Sequence, residues 1–258
     1  MPNRIVLLIG GYGSGKTYIG ALKSLYMSYL NSPVPGMYIS PSHQLATKTI
    51  IVTLKELCER AEIDYTYNQQ RSEFTFHNWG GTIWLGSGDK PDSLRGPNIG
   101  WAVIDEPFIQ KREVFEQMIA RVRHPEAKKS QIFLTGTPEQ LNWGFTLAND
   151  PKLDLGTIQA STLDNPHLPD DYKESLLQAY SEEQIDAYVH GKFVNLTQGR
   201  VYKDFDRDKH VVERPDLKHE GLPIGIGMDF NVDAMSSEVF YIGPNWIHVF
   251  DEVRLKNA

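Results

Sequence analysis

Apolar positions along the chain fall into two alternating rhythms. Arg4 to Ile9 is a short aliphatic, β-branched run that predicts a covered strand. Gly10 to Gly15 is a glycine-rich turn, and in Thr17 to Leu30 the residues Ile19, Leu22, Leu25 and Met27 recur at spacing suited to a buried helix face. The order is therefore strand, loop, helix. Met37 to Ser40 predicts a second strand and His43 to Ala61 one helix, with Leu45, Ile50, Leu54, Leu57 and Ala61 on a common side. Glu73 to Phe76 and Thr82 to Leu85 alternate around Asn78-Trp79-Gly80-Gly81, which predicts a hairpin inserted between β/α units. Trp101 to Ile104 is a short buried strand ending in Asp105-Glu106, followed by a helix over Glu113 to Val122. Gln131 to Leu134 is another apolar strand, leaving through Thr135-Gly136-Thr137-Pro138. Units of this kind predict an α/β fold with a mostly parallel sheet covered on both faces.

After Leu147 the pattern changes. Asp/Asn/Pro-rich turns lead to a helix from Asp170 to about His190, and then Ile224 to Asp229, Ser237 to Ile242 and Trp246 to Asp251 read as paired strands. The expected organisation is a core over 1–148, a small acidic subdomain over 149–198, a linker over 199–222 and the beginning of a further domain over 223–258. Internal repeats and low-complexity tracts are absent from the sequence.

Composition narrows the class. With 40% hydrophobic and 23% charged residues the chain reads as an ordinary globular protein. It carries no apolar run of the roughly 20 residues that span a bilayer and no secretory leader, so a cytoplasmic location and no membrane partner are expected. Cys58 is the only cysteine, which rules out an intrachain disulfide. The net charge of −7 counts against a generic nucleic-acid binder. Its distribution is uneven, however: residues 1–60 carry six basic and two acidic side chains, and residues 139–190 carry two basic and ten acidic ones.

Gly10-Gly11-Tyr12-Gly13-Ser14-Gly15-Lys16-Thr17 fits the P-loop pattern, in which backbone N–H groups cradle phosphates because glycines permit a tight turn. Lys16 is expected to reach the β- and γ-phosphates of ATP, and Thr17 to hold Mg²⁺. A phosphate site alone does not set the reaction. Trp101 to Glu106 does, because a carboxylate at the end of a buried strand, Asp105, suits the Mg²⁺ shell, and its neighbour Glu106 suits polarisation of an attacking water. Thr135 and Thr137 stand where hydroxyls sense the γ-phosphate. The transition state gathers charge that an arginine offsets, and Arg95 is the candidate, with Arg121 and Arg123 as rivals.

Together these motifs resemble the large terminase subunits of tailed bacteriophages. The resemblance runs through the P-loop, the hairpin from Phe74 to Leu85, Leu94-Arg95-Gly96, Val103-Ile104-Asp105-Glu106-Pro107 and Thr135-Gly136-Thr137-Pro138. It continues in Thr162-Leu163-Asp164-Asn165-Pro166-His167-Leu168-Pro169, Gly191-Lys192-Phe193, Gly199-Arg200-Val201-Tyr202 and Gly227-Met228-Asp229-Phe230. It implies a P-loop NTPase of the additional-strand RecA-like class, a lid subdomain and an RNase H-like nuclease of which this chain holds the truncated start. In the nuclease two divalent metals, Mg²⁺ or Mn²⁺, are expected, with Asp229 matching the first metal-binding aspartate. Other family acidic positions fall beyond Ala258, so the chain as given is expected to lack nuclease activity. The resemblance also implies double-stranded DNA, a portal protein and a small terminase subunit as partners, a homo-oligomeric ring during packaging of a chain that is monomeric in solution, and action in the cytoplasm of the bacterial host. Tyr12 stands where many members carry a basic residue, which directs attention to Arg95. Only Met1-Pro2-Asn3 precede the first strand, where members tend to carry an adenine-gripping segment. A P-loop helicase or recombinase-like DNA-dependent ATPase is the alternative; it shares every motif up to Pro138 and does not account for Asp229. A metabolic kinase predicts an acceptor pocket instead, and a nucleotide switch an idle Glu106.

Overall fold

The computed structural model describes residues 1–138, 142–194, 207–211, 221–229 and 235–255. They divide into two compact units, Met1–Gly199 and Arg200–Ala258. Gly199-Arg200-Val201-Tyr202, Phe230 and most of the 199–222 linker lie outside the described residues.

The first unit is built on one sheet of eight strands. These are β1 (Ile5–Gly10), β2 (Gly36–Ser40), β3 (Tyr65–Asn68), β4 (Glu73–Phe76), β5 (Gly81–Ser87), β6 (Trp101–Asp105), β7 (Gln131–Gly136) and β8 (Leu155–Ala160), in the spatial order β3-β4-β5-β2-β6-β7-β1-β8. The six strands from β5 to β8 in that order are parallel, and β3 and β4 are antiparallel additions at one edge. Strand β7 lies between β1 and β6, with Val6 opposite Phe133 and Asp105 opposite Thr135. This inserted strand is what the additional-strand class requires.

Alternation along the strands explains why both faces are covered. Val6 and Leu8 of β1 enter one core with Tyr38, Val103 and Phe133, whereas Ile5, Leu7 and Ile9 enter the opposite one with Ile39, Ile104 and Leu134. The first core is closed by α1 (Lys16–Asn31) and α3 (Ile50–Arg60), the second by α4 (Arg112–Arg121) and α5 (Trp143–Ala148).

Several elements differ from the sequence expectation. In α1 Leu25 and Met27 are buried, but Ile19 and Leu22 are exposed, and the inward face is carried by Gly20, Ala21, Ser24 and Ser28. Small residues there bring the helix close to the sheet, with Tyr38 Oη 3.4 Å from the position a Cβ on Gly20 would take. The single helix expected over His43 to Ala61 is broken at Thr49 (φ −119, ψ −87) into α2 (His43–Lys48) and α3. Thr47, Thr49 and Thr53 each donate their hydroxyl to the carbonyl four residues back, a pattern that bends helices. Leu45 and Ala61 consequently leave the buried side that Ile50, Leu54 and Leu57 hold. The helix expected from Asp170 to His190 is likewise two, α6 (Asp170–Ala179) and α7 (Glu182–Tyr188), because Ser181 and Gln184 form a capping box that starts a new helix. Strands β3 and β8 were not legible; β8 (Leu155-Gly156-Thr157-Ile158-Gln159-Ala160) is partly exposed along its length, has no continuous apolar run, and is held by its pairing to β1.

The second unit holds α8 (Arg207–His210) and an antiparallel sheet of β9 (Ile224–Asp229), β10 (Met235–Ile242) and β11 (Ile247–Leu255), in the order β11-β10-β9. Ile224, Ile226 and Met228 alternate onto one face of β9 and are exposed.

Candidate active site

The turn after β1 owes its shape to two glycines that no other residue replaces cheaply. Gly15 has φ 89 and caps α1 from the left-handed region. A Cβ on Gly11 would fall 2.3 Å from Thr162 Oγ1 and 2.4 Å from the Val189 carbonyl. Lys16 is the first residue of α1 and is buried; its Nζ donates to the carbonyls of Gly10 (3.1 Å) and Gly11 (2.9 Å) and lies 3.7 Å from Glu106 Oε1. Thr17 follows in the same first turn.

Asp105 ends β6 with 3% of its surface exposed. Its Oδ1 accepts from Thr135 Oγ1 (2.8 Å), and its carbonyl accepts from Gln110 Nε2 (2.6 Å). Burial raises the Asp105 carboxyl above its ordinary range, against the pull of Thr135, Tyr38 and Lys16, so the buried charge is only partly compensated. Hard oxygen ligands and an undercompensated anion fit a magnesium ion, which takes few protein carboxylates and completes its shell with water and phosphate. Thr17 and Asp105 are the residues that would hold it.

Glu106 adopts φ 45, ψ 55 immediately before Pro107, a combination disfavoured for a non-glycine residue and again for one preceding proline. It is held there by its N–H donating to the Thr135 carbonyl (2.7 Å) and by the Thr137 N–H donating to its Oε2 (3.0 Å). The segment from Thr135 to Thr137 thus grips both carboxylates, and the Thr137 hydroxyl is buried without a hydrogen-bond partner among the described residues.

The structure therefore brings Lys16, Asp105, Glu106, Thr135 and Thr137 to one end of the sheet. Arg95 is not among them: it follows a short 3-10 turn (Pro91–Leu94), is largely exposed, and pairs with Asp92 at 2.9 Å. The Arg123 N–H donates to the Ile99 carbonyl, just ahead of β6, whose first residue Trp101 is itself about 16 Å from Glu106 on the rise per residue of a strand. Asp229 ends β9 in the second unit. Among the described residues no group of three or more His, Cys, Asp or Glu side chains gathers as a metal site.

Contacts from Ser161 onward hold the phosphate loop from outside, and sequence reasoning missed them. Thr162 Oγ1 donates to the Tyr12 carbonyl (2.7 Å), Asn165 Nδ2 to the Gly13 carbonyl (2.7 Å), and the Tyr12 N–H to the Tyr188 carbonyl (2.6 Å). The Tyr12 and Tyr188 rings stack with centroids 4.7 Å apart. Tyr38 was missed as well. It is fully buried, and burial first and the Asp105 carboxylate second push its hydroxyl well above the usual range. A tyrosine hydroxyl at the centre of a short, fully buried strand was the available signal. A cavity of about 670 Å³ opens beside the first turn of α1, lined by Tyr18, Arg60, Ser161, Asn165, Pro166 and His167 among others.

Comparison with known proteins agrees with this architecture. Residues 7–209 match the family described as terminase large subunit, T4likevirus-type, N-terminal. The PBSX phage terminase large subunit of Bacillus subtilis (strain 168) is 26% identical, in an alignment covering 90% of this chain and 59% of the relative. The large terminase of a thermophilic bacteriophage, solved in complex with ADP, superposes with a TM-score of 0.67 at 16% identity, over 98% of this chain and 63% of that one. The large terminase ATPase domain of Thermus phage P74-26 gives a TM-score of 0.55 at 15% identity, over 75% of this chain and 90% of that one. The structural likenesses establish a shared α/β fold with a large parallel sheet of RecA-like type, and the chain spans about three fifths of the first two relatives. With more than half of its length matched by the family, the chain belongs to the terminase large subunits.

Proposed function

We propose that this chain binds ATP·Mg²⁺ and hydrolyses it to drive double-stranded viral DNA into a procapsid. The observation that carries the reading is the meeting of the phosphate-loop lysine with the acidic pair, Lys16 Nζ lying 3.7 Å from Glu106 Oε1 beside buried Asp105. Lys16 leaves the Gly10 and Gly11 carbonyls for the terminal phosphates. The loop N–H groups from Gly13 to Thr17 face the remaining phosphate charge at the start of α1. Bound Mg²⁺ supplies charge neutralisation at the phosphates, and Thr17 and Asp105 hold it. Glu106, fixed by Thr137, orients and deprotonates the attacking water. The cavity between α1 and the Asn165–His167 turn receives base and ribose. Residues from Ser161 to Phe193 serve as the lid over that nucleotide.

In this reading Arg95 acts on the site of a neighbouring subunit in a ring that docks on the portal and works with a small terminase subunit in the host cytoplasm. Asp229 opens the metal site of the nuclease. No helix among the described residues is long and apolar enough to cross a membrane. The test is ATP hydrolysis by the purified chain with and without duplex DNA. Turnover that rises with DNA, and loss of ATP binding in Lys16→Ala, are expected; wild-type binding and turnover in Lys16→Ala would refute the site.

A further inference from the structure

The edge of the sheet opposite the nucleotide site gathers cations. The last residue of α4 and the loop after it, Arg121 to Lys129, carry Arg121, Arg123, His124, Lys128 and Lys129 against a single acid, Glu126, in a chain whose net charge is −7. Arg123 and His124 bond to the Ile99 carbonyl ahead of β6, and Ile132 of β7 bonds to the Arg4 carbonyl ahead of β1, so the loop crosses the starts of β6, β7 and β1. Arg4 joins it by donating from Nη2 to the Val122 carbonyl (3.0 Å). Lys129 is tied down through its backbone N–H to Asn31 (2.9 Å) and through Nζ to the Met1 carbonyl (3.1 Å). Lys23 of α1 lies over the Phe133 ring, close enough to Lys129 for the two charges to repel.

Among the described residues none of Arg4, Lys23, Arg123, Lys128 and Lys129 has a carboxylate within ion-pair distance. The nearby acid Asp154 is engaged otherwise, accepting from the Arg4 backbone N–H (2.9 Å) and the Asn3 amide (2.8 Å). Like charges held together without counter-charges are a cost to the isolated protein that an external anion removes. The shape of the patch selects the anion. The charges are spread over the ends of three neighbouring strands, about 10 Å across, and they line none of the cavities described among the residues of this unit, so they suit an extended polyanion better than a small ion. Protein docking sites are anchored by clusters of aromatic and aliphatic side chains, whereas the exposed large apolar side chains named beside these cations are Met1 and Tyr26, whose ring centroid lies 5.5 Å from Lys23 Nζ.

We propose that this edge, through Arg4, Arg123, Lys128 and Lys129, contacts the sugar-phosphate backbone of double-stranded DNA; the proposal rests on the packaging reading above. Nucleotide and DNA then sit at opposite ends of β1, β6 and β7, strands buried along their whole length.

The experiment compares wild type, the triple variant Arg123→Gln/Lys128→Gln/Lys129→Gln and the single variant Lys128→Glu, whose side chain is exposed. Binding of a fluorescent duplex is followed by anisotropy across a salt series, and ATP turnover is measured with and without DNA. The triple variant is expected to keep basal turnover, to bind duplex at least about tenfold more weakly near 0.1 M salt, and to lose about one unit of salt slope per side chain removed. Lys128→Glu should move the same quantities by a smaller amount. Wild-type affinity and slope in both variants would overturn the surface while leaving the packaging reading intact, whereas a wild-type chain neither bound nor stimulated by DNA would remove both. Equal binding of oligoglutamate, lost in the same variants, would assign the edge to an acidic protein and overturn the DNA proposal.

Discussion

Asp105 and Glu106 are adjacent in sequence and held by opposite physical means. Asp105 is buried, and its environment raises its carboxyl above the ordinary range chiefly by desolvation. A raised folded value means that this group's contribution to stability is full below its unfolded value near 4 and is lost as pH rises through the folded value. Asp105→Asn is therefore expected to abolish turnover yet raise the thermal midpoint at neutral pH, by roughly 2–4 °C for each kcal/mol relieved, with the gain vanishing in acid. Equal midpoints at both pH values in a thermal melt would show that the carboxylate is not strained. Glu106 is instead strained through its backbone, at φ 45 before proline, and the Thr135 and Thr137 contacts keep it there. Such strain clusters at sites where geometry is enforced for chemistry.

At the scale of elements, the strongest coupling is between the phosphate loop and the segment that covers it. Gly11 has no room for a Cβ, because the Tyr188 and Val189 carbonyls and the Thr162 hydroxyl would stand 2.3–2.5 Å away. Gly11→Ala should weaken the seating of this segment by about 1–3 kcal/mol. Limited proteolysis should then cleave between Ser161 and Phe193 faster, and the KM for ATP should rise; an unchanged cleavage pattern would mean the contact carries no load. The elements themselves were unequally legible in the sequence. β1, β2, β6 and β7 announced themselves as apolar runs because both of their faces are buried, and the phosphate loop and acidic pair did so because residue type, spacing and strand-end placement coincide. What stayed hidden depends on tertiary approach. β8 mixes apolar and polar residues without a continuous apolar run, is partly exposed throughout, and is a strand through its pairing with β1; the inward face of α1 is written in glycine, alanine and serine; and Thr162, Asn165 and Tyr38 acquire their roles only where distant segments meet.

For the whole molecule, the proposed packaging role assigns Arg95, which is exposed and paired with Asp92, to the site of a neighbouring copy. Arg95→Ala should lower turnover in assembled rings, and adding Glu106→Gln subunits, which retain the arginine, should restore part of it; a mixture no more active than its components would place Arg95 outside the neighbouring site. The account depends above all on Lys16, Asp105 and Glu106 forming a single hydrolytic centre, and the most direct measurement is ATP binding and single-turnover hydrolysis in Glu106→Gln beside wild type. Binding within about twofold of wild type, with hydrolysis slowed by roughly 10²–10⁴ as for loss of a general base, is the predicted result. Hydrolysis at the wild-type rate would contradict it.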